Sequence, residues 1–131
     1  MDFFMFCFHY LAHRLKLLQS IHKLHRTDID TNVYRLFVLH PIETLGFELI
    51  WLSLLIVIRL NYLSIIIYLI LNLLYGMFGH LKKDHFPTFW YNNTIRKWIS
   101  STQFHNNHHK NKSHNYGFYF TIWDKIFKTL I

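Results

Sequence analysis

Apolar and polar positions follow one another along this chain in long blocks. Residues 2 to about 26 contain neither Gly nor Pro, and Leu11, Leu15, Leu18 and Ile21 recur at helical spacing, which predicts a helix there. A polar break follows, Thr27-Asp28-Ile29-Asp30-Thr31-Asn32, rich in residues that cap a helix start. A second helical stretch is expected from near Val33 to His40-Pro41. The residue before a proline is driven out of the helical backbone region, so the chain should bend there. Pro41 and Glu43 suit the first turn of a helix that restarts at this point.

The longest apolar block comes next. Leu45 to Ile58 is apolar except for Glu48 and Ser53, Arg59-Leu60-Asn61-Tyr62 interrupts it, and Leu63 to Phe78 is apolar again. Each half has about 14–16 residues, short of the ~20 that cross hydrocarbon unaided. The pattern predicts a membrane hairpin over about 45–79. It either dips partway or recruits residues from about 40 to span, with Arg59 and Tyr62 anchoring at the far interface. Both arrangements return the chain to the side it left.

Composition and charge sharpen that picture. The chain of 131 residues is 52% hydrophobic and 19% aromatic, yet carries a formal net charge of +7. This combination fits a membrane protein with basic, water-facing ends. Nucleic-acid binding is not expected, because the Lys and Arg are scattered and the apolar content is high. Of the 14 Lys and Arg, only Arg59 lies at the hairpin, at its tip. The positive-inside rule then places both ends on the cytoplasmic side. Cys7 is the only cysteine, so the fold rests on no internal disulfide. The apolar start carries Asp2 and lacks a positive leading region. It reads as the tail of a membrane helix that delivers His9 and His13, not as a cleaved signal.

Eleven residues are His, and most stand in spaced groups: His9-x-x-x-His13, His22-x-x-His25 and His105-x-x-His108-His109. Side chains three or four apart on a helix share a face, and imidazole is the commonest side-chain metal ligand. These residues, with His80 directly after the apolar block, are the expected metal ligands. His40 and His114 are further candidates, and His85 is expected to be solvated. Asp2, Asp28, Asp30, Glu43 and Asp124 are carboxylates that could orient imidazoles. The aromatics around Thr121-x-Trp123-Asp124 are expected to pack. The fold class expected is all-α: a membrane-embedded helical bundle with a cytoplasmic histidine-rich metal-binding cap, one domain over residues 1–131.

The ordered histidine motifs, together with Asp2-Phe3-Phe4-Met5, Thr27-Asp28, His40-Pro41-x-Glu43 and the closing Asn115-Tyr116-Gly117 and Phe120-Thr121-x-Trp123-Asp124-Lys125, resemble the fatty acid hydroxylase/sterol desaturase superfamily. The resemblance implies an integral membrane oxidoreductase of the endoplasmic reticulum or bacterial inner membrane. It implies two iron ions in a histidine cage, zinc being an alternative in isolation. It further implies O2-dependent hydroxylation or desaturation of a lipid, fatty acyl or sterol-like, in lipid biosynthesis. Electrons would come from a reductase or a cytochrome b5-like partner. The chain departs from the pattern at Arg26, where the second motif usually ends in His, and at Gly76, where some relatives carry another His. Tyr10 stands where Arg is common. Relatives have more membrane helices ahead of the first motif, so a fragment, a minimal form or a partner chain is expected. The competing expectation is a degenerate or truncated histidine-cage protein that binds metal without turnover. A metal transporter ranks last, since residues 45–75 hold no His or Cys and Glu48 as their sole carboxylate.

Overall fold

A computed structural model describes residues 1–25, 32–81 and 94–131. Among these residues the fold is all-helical, with no strand and one isolated antiparallel bridge, Ile99 to Phe120. Arg26, Asp28, Asp30 and His85 lie outside the described residues.

The helix expected over 2–26 is two helices. Helix α1 (Asp2–Arg14) stops at Leu15, whose extended backbone (φ −86°, ψ 123°) turns the chain into α2 (Lys16–His22). His9 and His22 are thirteen residues apart, roughly 20 Å along a straight helix at ~1.5 Å per residue. The turn at Leu15 folds α2 back on α1, so that those two imidazoles meet at 5.1 Å between ring centroids. No Gly or Pro marks the turn; tertiary packing imposes it over local propensity.

A 3₁₀ turn over Val33–Phe37 leads to Pro41, where helix α3 (Pro41–Val57) begins. His40 caps it, its Nδ1 accepting from the Ile42 N–H at 3.2 Å. Helix α4 (Tyr62–Gly79) follows after a short polar turn and is capped by Asn61, whose Oδ1 accepts from Ser64 N–H at 2.8 Å. At ~1.5 Å per residue the two helices are about 26 and 27 Å long. Among the described residues α4 alone is long and apolar enough to cross a membrane. Helix α1 closes on α3 at Gly46, where an added Cβ would lie 2.3 Å from the Phe8 ring.

The chain end forms a clamp around the helices. Helix α5 (Thr102–Lys110) is capped by Ser101, and α6 (Ile122–Ile126) is a short turn near the carboxyl end. Between them Asn115 adopts a left-handed conformation (φ 60°) and Tyr116 is buried. Asp124 accepts from the N–H groups of Tyr116 (2.8 Å) and Gly117 (2.7 Å) and from the Thr129 hydroxyl (2.6 Å). A Cβ on Gly117 would sit 2.5 Å from the Phe120 carbonyl oxygen and 2.8 Å from Asp124, so this close approach requires glycine. Asp2 accepts from the Tyr119 N–H and the Trp123 indole N–H, both at 2.9 Å, and ties the first turn of α1 to this clamp. Asp2 and Asp124, two of the carboxylates that could have oriented imidazoles, thus accept from backbone, indole and hydroxyl donors instead.

Candidate metal centre

The helical spacing of the histidines sorts them into two groups of four. His9, His13, His22 and His108 form one, and His25, His80, His105 and His109 form the other; within each group the potential ligand atoms lie within 4.8 Å of one another. The i, i+4 pairs, His9 with His13 and His105 with His109, each stay together. The i, i+3 pairs are divided: His22 and His108 go to the first group, His25 and His105 to the second. The turn that follows α2 and a turn of α5 therefore run across both groups. The groups adjoin, with His22 and His25 at 5.6 Å and His108 and His109 at 6.0 Å between ring centroids.

Backbone acceptors aim four of these eight rings. The Nδ1 of His9 bonds the Tyr116 carbonyl (2.9 Å), that of His80 the Gly76 carbonyl (2.9 Å), that of His108 the His114 carbonyl (2.7 Å), and that of His25 the Val38 carbonyl (3.3 Å). A carbonyl only accepts, so each of these imidazoles carries its proton on Nδ1 and presents the Nε2 lone pair inward. His22 differs: its Nδ1 faces the Glu43 carboxylate at 2.5 Å. Both residues are buried, and His22 Nε2 has no hydrogen-bond partner. A buried ring nitrogen left without a partner costs free energy unless something takes its lone pair.

The spacing fits a metal ion. The Nε2 atoms of His9 and His13 are 3.3 Å apart, those of His80 and His105 3.3 Å, and those of His105 and His109 3.2 Å. Metal–nitrogen bonds of ~2.0–2.1 Å in tetrahedral array give ligand separations of about 3.3–3.4 Å. Electrostatics agree. Burial pushes His9 and His105 well below the usual imidazole range, reinforced by His108, His22 and His13 around the first and by His80, His109, His108 and His25 around the second. Burial, with His109, His80 and His22 adding, lowers His25 to about 3, and burial lowers His80. Neutral rings are the form that binds metal.

His40 and His114 stand outside both groups. The His40 ring caps α3, and His114 contributes its backbone carbonyl to His108. Glu43, one of the carboxylates that could orient an imidazole, does bear directly on the His22 ring. The four carbonyls that aim the rings left no signal in the sequence, because every residue carries one. Gly76 is filled from outside: an added Cβ there would meet Leu36 at 3.0 Å, so Leu36 occupies the space a side chain would need.

Both groups face a cavity of about 380 Å³ between α3 and α4. His9, His22, His25, His80 and His105 line it, and Phe47, Trp51, Leu69 and Leu73 are among its apolar walls. That is the concave, mostly apolar shape of a small-molecule site with polar groups at defined places.

Among known proteins, the family model described as fatty acid hydroxylase matches residues 1–129. No curated protein and no solved structure matches the chain.

Proposed function

The chain belongs to the fatty acid hydroxylase family, and from that premise we propose that it is a membrane-bound di-iron oxidoreductase that uses O2 to hydroxylate or desaturate a lipid, fatty acyl or sterol-like, in lipid biosynthesis. The observation that carries this reading is the meeting of two four-histidine groups on the wall of a largely apolar cavity. Iron held there would supply the oxygen-activating redox chemistry that an unactivated C–H bond demands. His9, His13, His22 and His108 would hold one ion, and His25, His80, His105 and His109 the other.

The protein's own groups do the rest. Backbone carbonyls fix the tautomer of four ligand rings, and Glu43 fixes the fifth. Phe47, Trp51, Leu69 and Leu73 exclude water and guide an alkyl chain toward the histidines. Tyr75 docks α4 on the clamp, its hydroxyl donating to the Ser100 carbonyl at 2.6 Å. Electrons would come from a reductase or cytochrome b5-like protein.

The membrane assignment rests on exposed apolar surface. Ile56 is 83% exposed, Leu49 64% and Leu63 66%, and no residue of α4 is buried. Such a surface is unfavourable in water and natural in lipid. With the cations gathered outside the hairpin, the histidine end lies on the cytoplasmic side of the endoplasmic reticulum or bacterial inner membrane.

The test is iron-loaded protein in lipid nanodiscs, supplied with ¹⁸O2, a reductase and a mixture of long-chain lipids. A product carrying one ¹⁸O atom, or lacking two hydrogens, supports the proposal. Iron binding with no O2-dependent product would instead assign a metal-binding protein without turnover. Single cysteines at Asn32 and Asn111 test topology, and labelling from opposite sides of the membrane would contradict it.

A further inference from the structure

One group in the cavity is out of keeping with its surroundings. Asn72 lies inside α4, within the apolar run from Leu63 to Phe78, and lines the cavity. A carboxamide at that depth of a membrane helix is unfavourable unless it has a polar partner or a polar task. It has one partner: the Tyr119 hydroxyl donates to Asn72 Oδ1. Tyr119 has a single proton to give, so the Tyr68 hydroxyl, 3.3 Å away, donates to Tyr119. Burial raises the Tyr119 hydroxyl, which keeps it protonated. The chain of bonds therefore runs from Tyr68 through Tyr119 to Oδ1. It ends at the Asn72 amide nitrogen, whose two N–H donors have no hydrogen-bond partner among the described residues.

We propose that Asn72, held by Tyr119 and Tyr68, is a docking point for a neutral oxygen atom of the lipid, a hydroxyl or a carbonyl. The inference rests on the lipid-oxidation reading and adds to it the chemistry of the substrate. Charge decides between oxygen groups. Among the described residues lining the cavity there is no Lys or Arg, while Glu43 and Glu48 both line it. A carboxylate or phosphate would meet like charge and no cation, whereas an uncharged oxygen needs only the amide donors. Asn72 is eight residues from His80, about 12 Å along the helix at ~1.5 Å per residue. A lipid anchored there by its oxygen extends the rest of its length toward the histidines.

Displacement of a pyrene-labelled alkane from the purified, metal-loaded protein tests this, with hexadecan-1-ol, hexadecane and hexadecanoate as competitors. A buried hydrogen bond of ordinary strength corresponds to about tenfold in affinity. Hexadecan-1-ol should therefore displace the probe about tenfold better than hexadecane or hexadecanoate. Asn72→Leu should erase that preference while leaving hexadecane binding and metal content unchanged. Tyr119→Phe, which removes only the hydroxyl, should reduce it to about threefold. Equal binding of alcohol and alkane by the wild-type protein, or a preference that survives Asn72→Leu, overturns the docking point and leaves the oxidase reading standing. Failure of the pyrene-labelled alkane and of all three competitors to bind overturns both.

Discussion

The two histidine groups have the same number of imidazoles but different settings. His9, His13, His22 and His108 are all buried, and one of them faces a carboxylate. In the second group His25 and His105 are only partly buried, and the aiming partners are the backbone carbonyls of Val38 and Gly76. The second group also contributes three of its four rings to the cavity wall, the first only two. A carboxylate behind an imidazole raises its basicity and strengthens its bond to a metal. On the proposed di-metal reading, the first group would hold its metal the more tightly and the second would face incoming molecules.

The largest effects should come from the ligands themselves. His108→Ala and His80→Ala remove one ring from the first and second group respectively, and each is expected to abolish O2-dependent lipid oxidation in the nanodisc assay. Full turnover by either variant would mean that one group is dispensable.

Glu43→Gln should act on the first group alone. Loss of a carboxylate partner behind a ligand imidazole commonly weakens metal binding by about 10–100-fold. Competitive metal titration of this variant is expected to show one weakened site and one unchanged. Equal weakening of both would erase the distinction between the groups.

Chelation reads the same contrast by rate. The more open second group should release its metal to a chelator first, giving two phases. In His80→Ala the faster phase should be missing. A single phase in the wild-type protein would count against inequivalent sites.

The smallest effect should follow His40→Ala. Its ring caps α3, and loss of such a cap costs about 1 kcal/mol. Thermal unfolding should shift slightly while metal content stays unchanged; loss of metal would return His40 to the ligand set.

Much of this was legible in the residues. Spacing gave the histidine motifs, and the apolar blocks gave the two long helices with their break at Arg59-Leu60-Asn61-Tyr62. Proline placed the start of α3. What spacing could not give was the division of the histidines, because i, i+3 neighbours on one turn point to different sites once α1, α2 and α5 are packed. The turn at Leu15 was equally hidden, since Arg14-Leu15-Lys16 carries no helix breaker and only the meeting of His22 with His9 and His13 demands it. Asp2 and Asp124 were open to either imidazoles or backbone donors, and the structure gives them to backbone, indole and hydroxyl donors. Asn72 passed unnoticed in an apolar run, because its significance depends on Tyr119, distant in sequence.

The central claim is that two metal ions sit in separate four-histidine sites. Metal analysis of iron-loaded wild-type protein, His108→Ala and His80→Ala tests it most directly. The expected ratios are about two ions per chain in the wild type and about one in each variant, with the survivor in His108→Ala the more easily chelated. A wild-type ratio of one or zero, or a single substitution that empties both sites or neither, would contradict it.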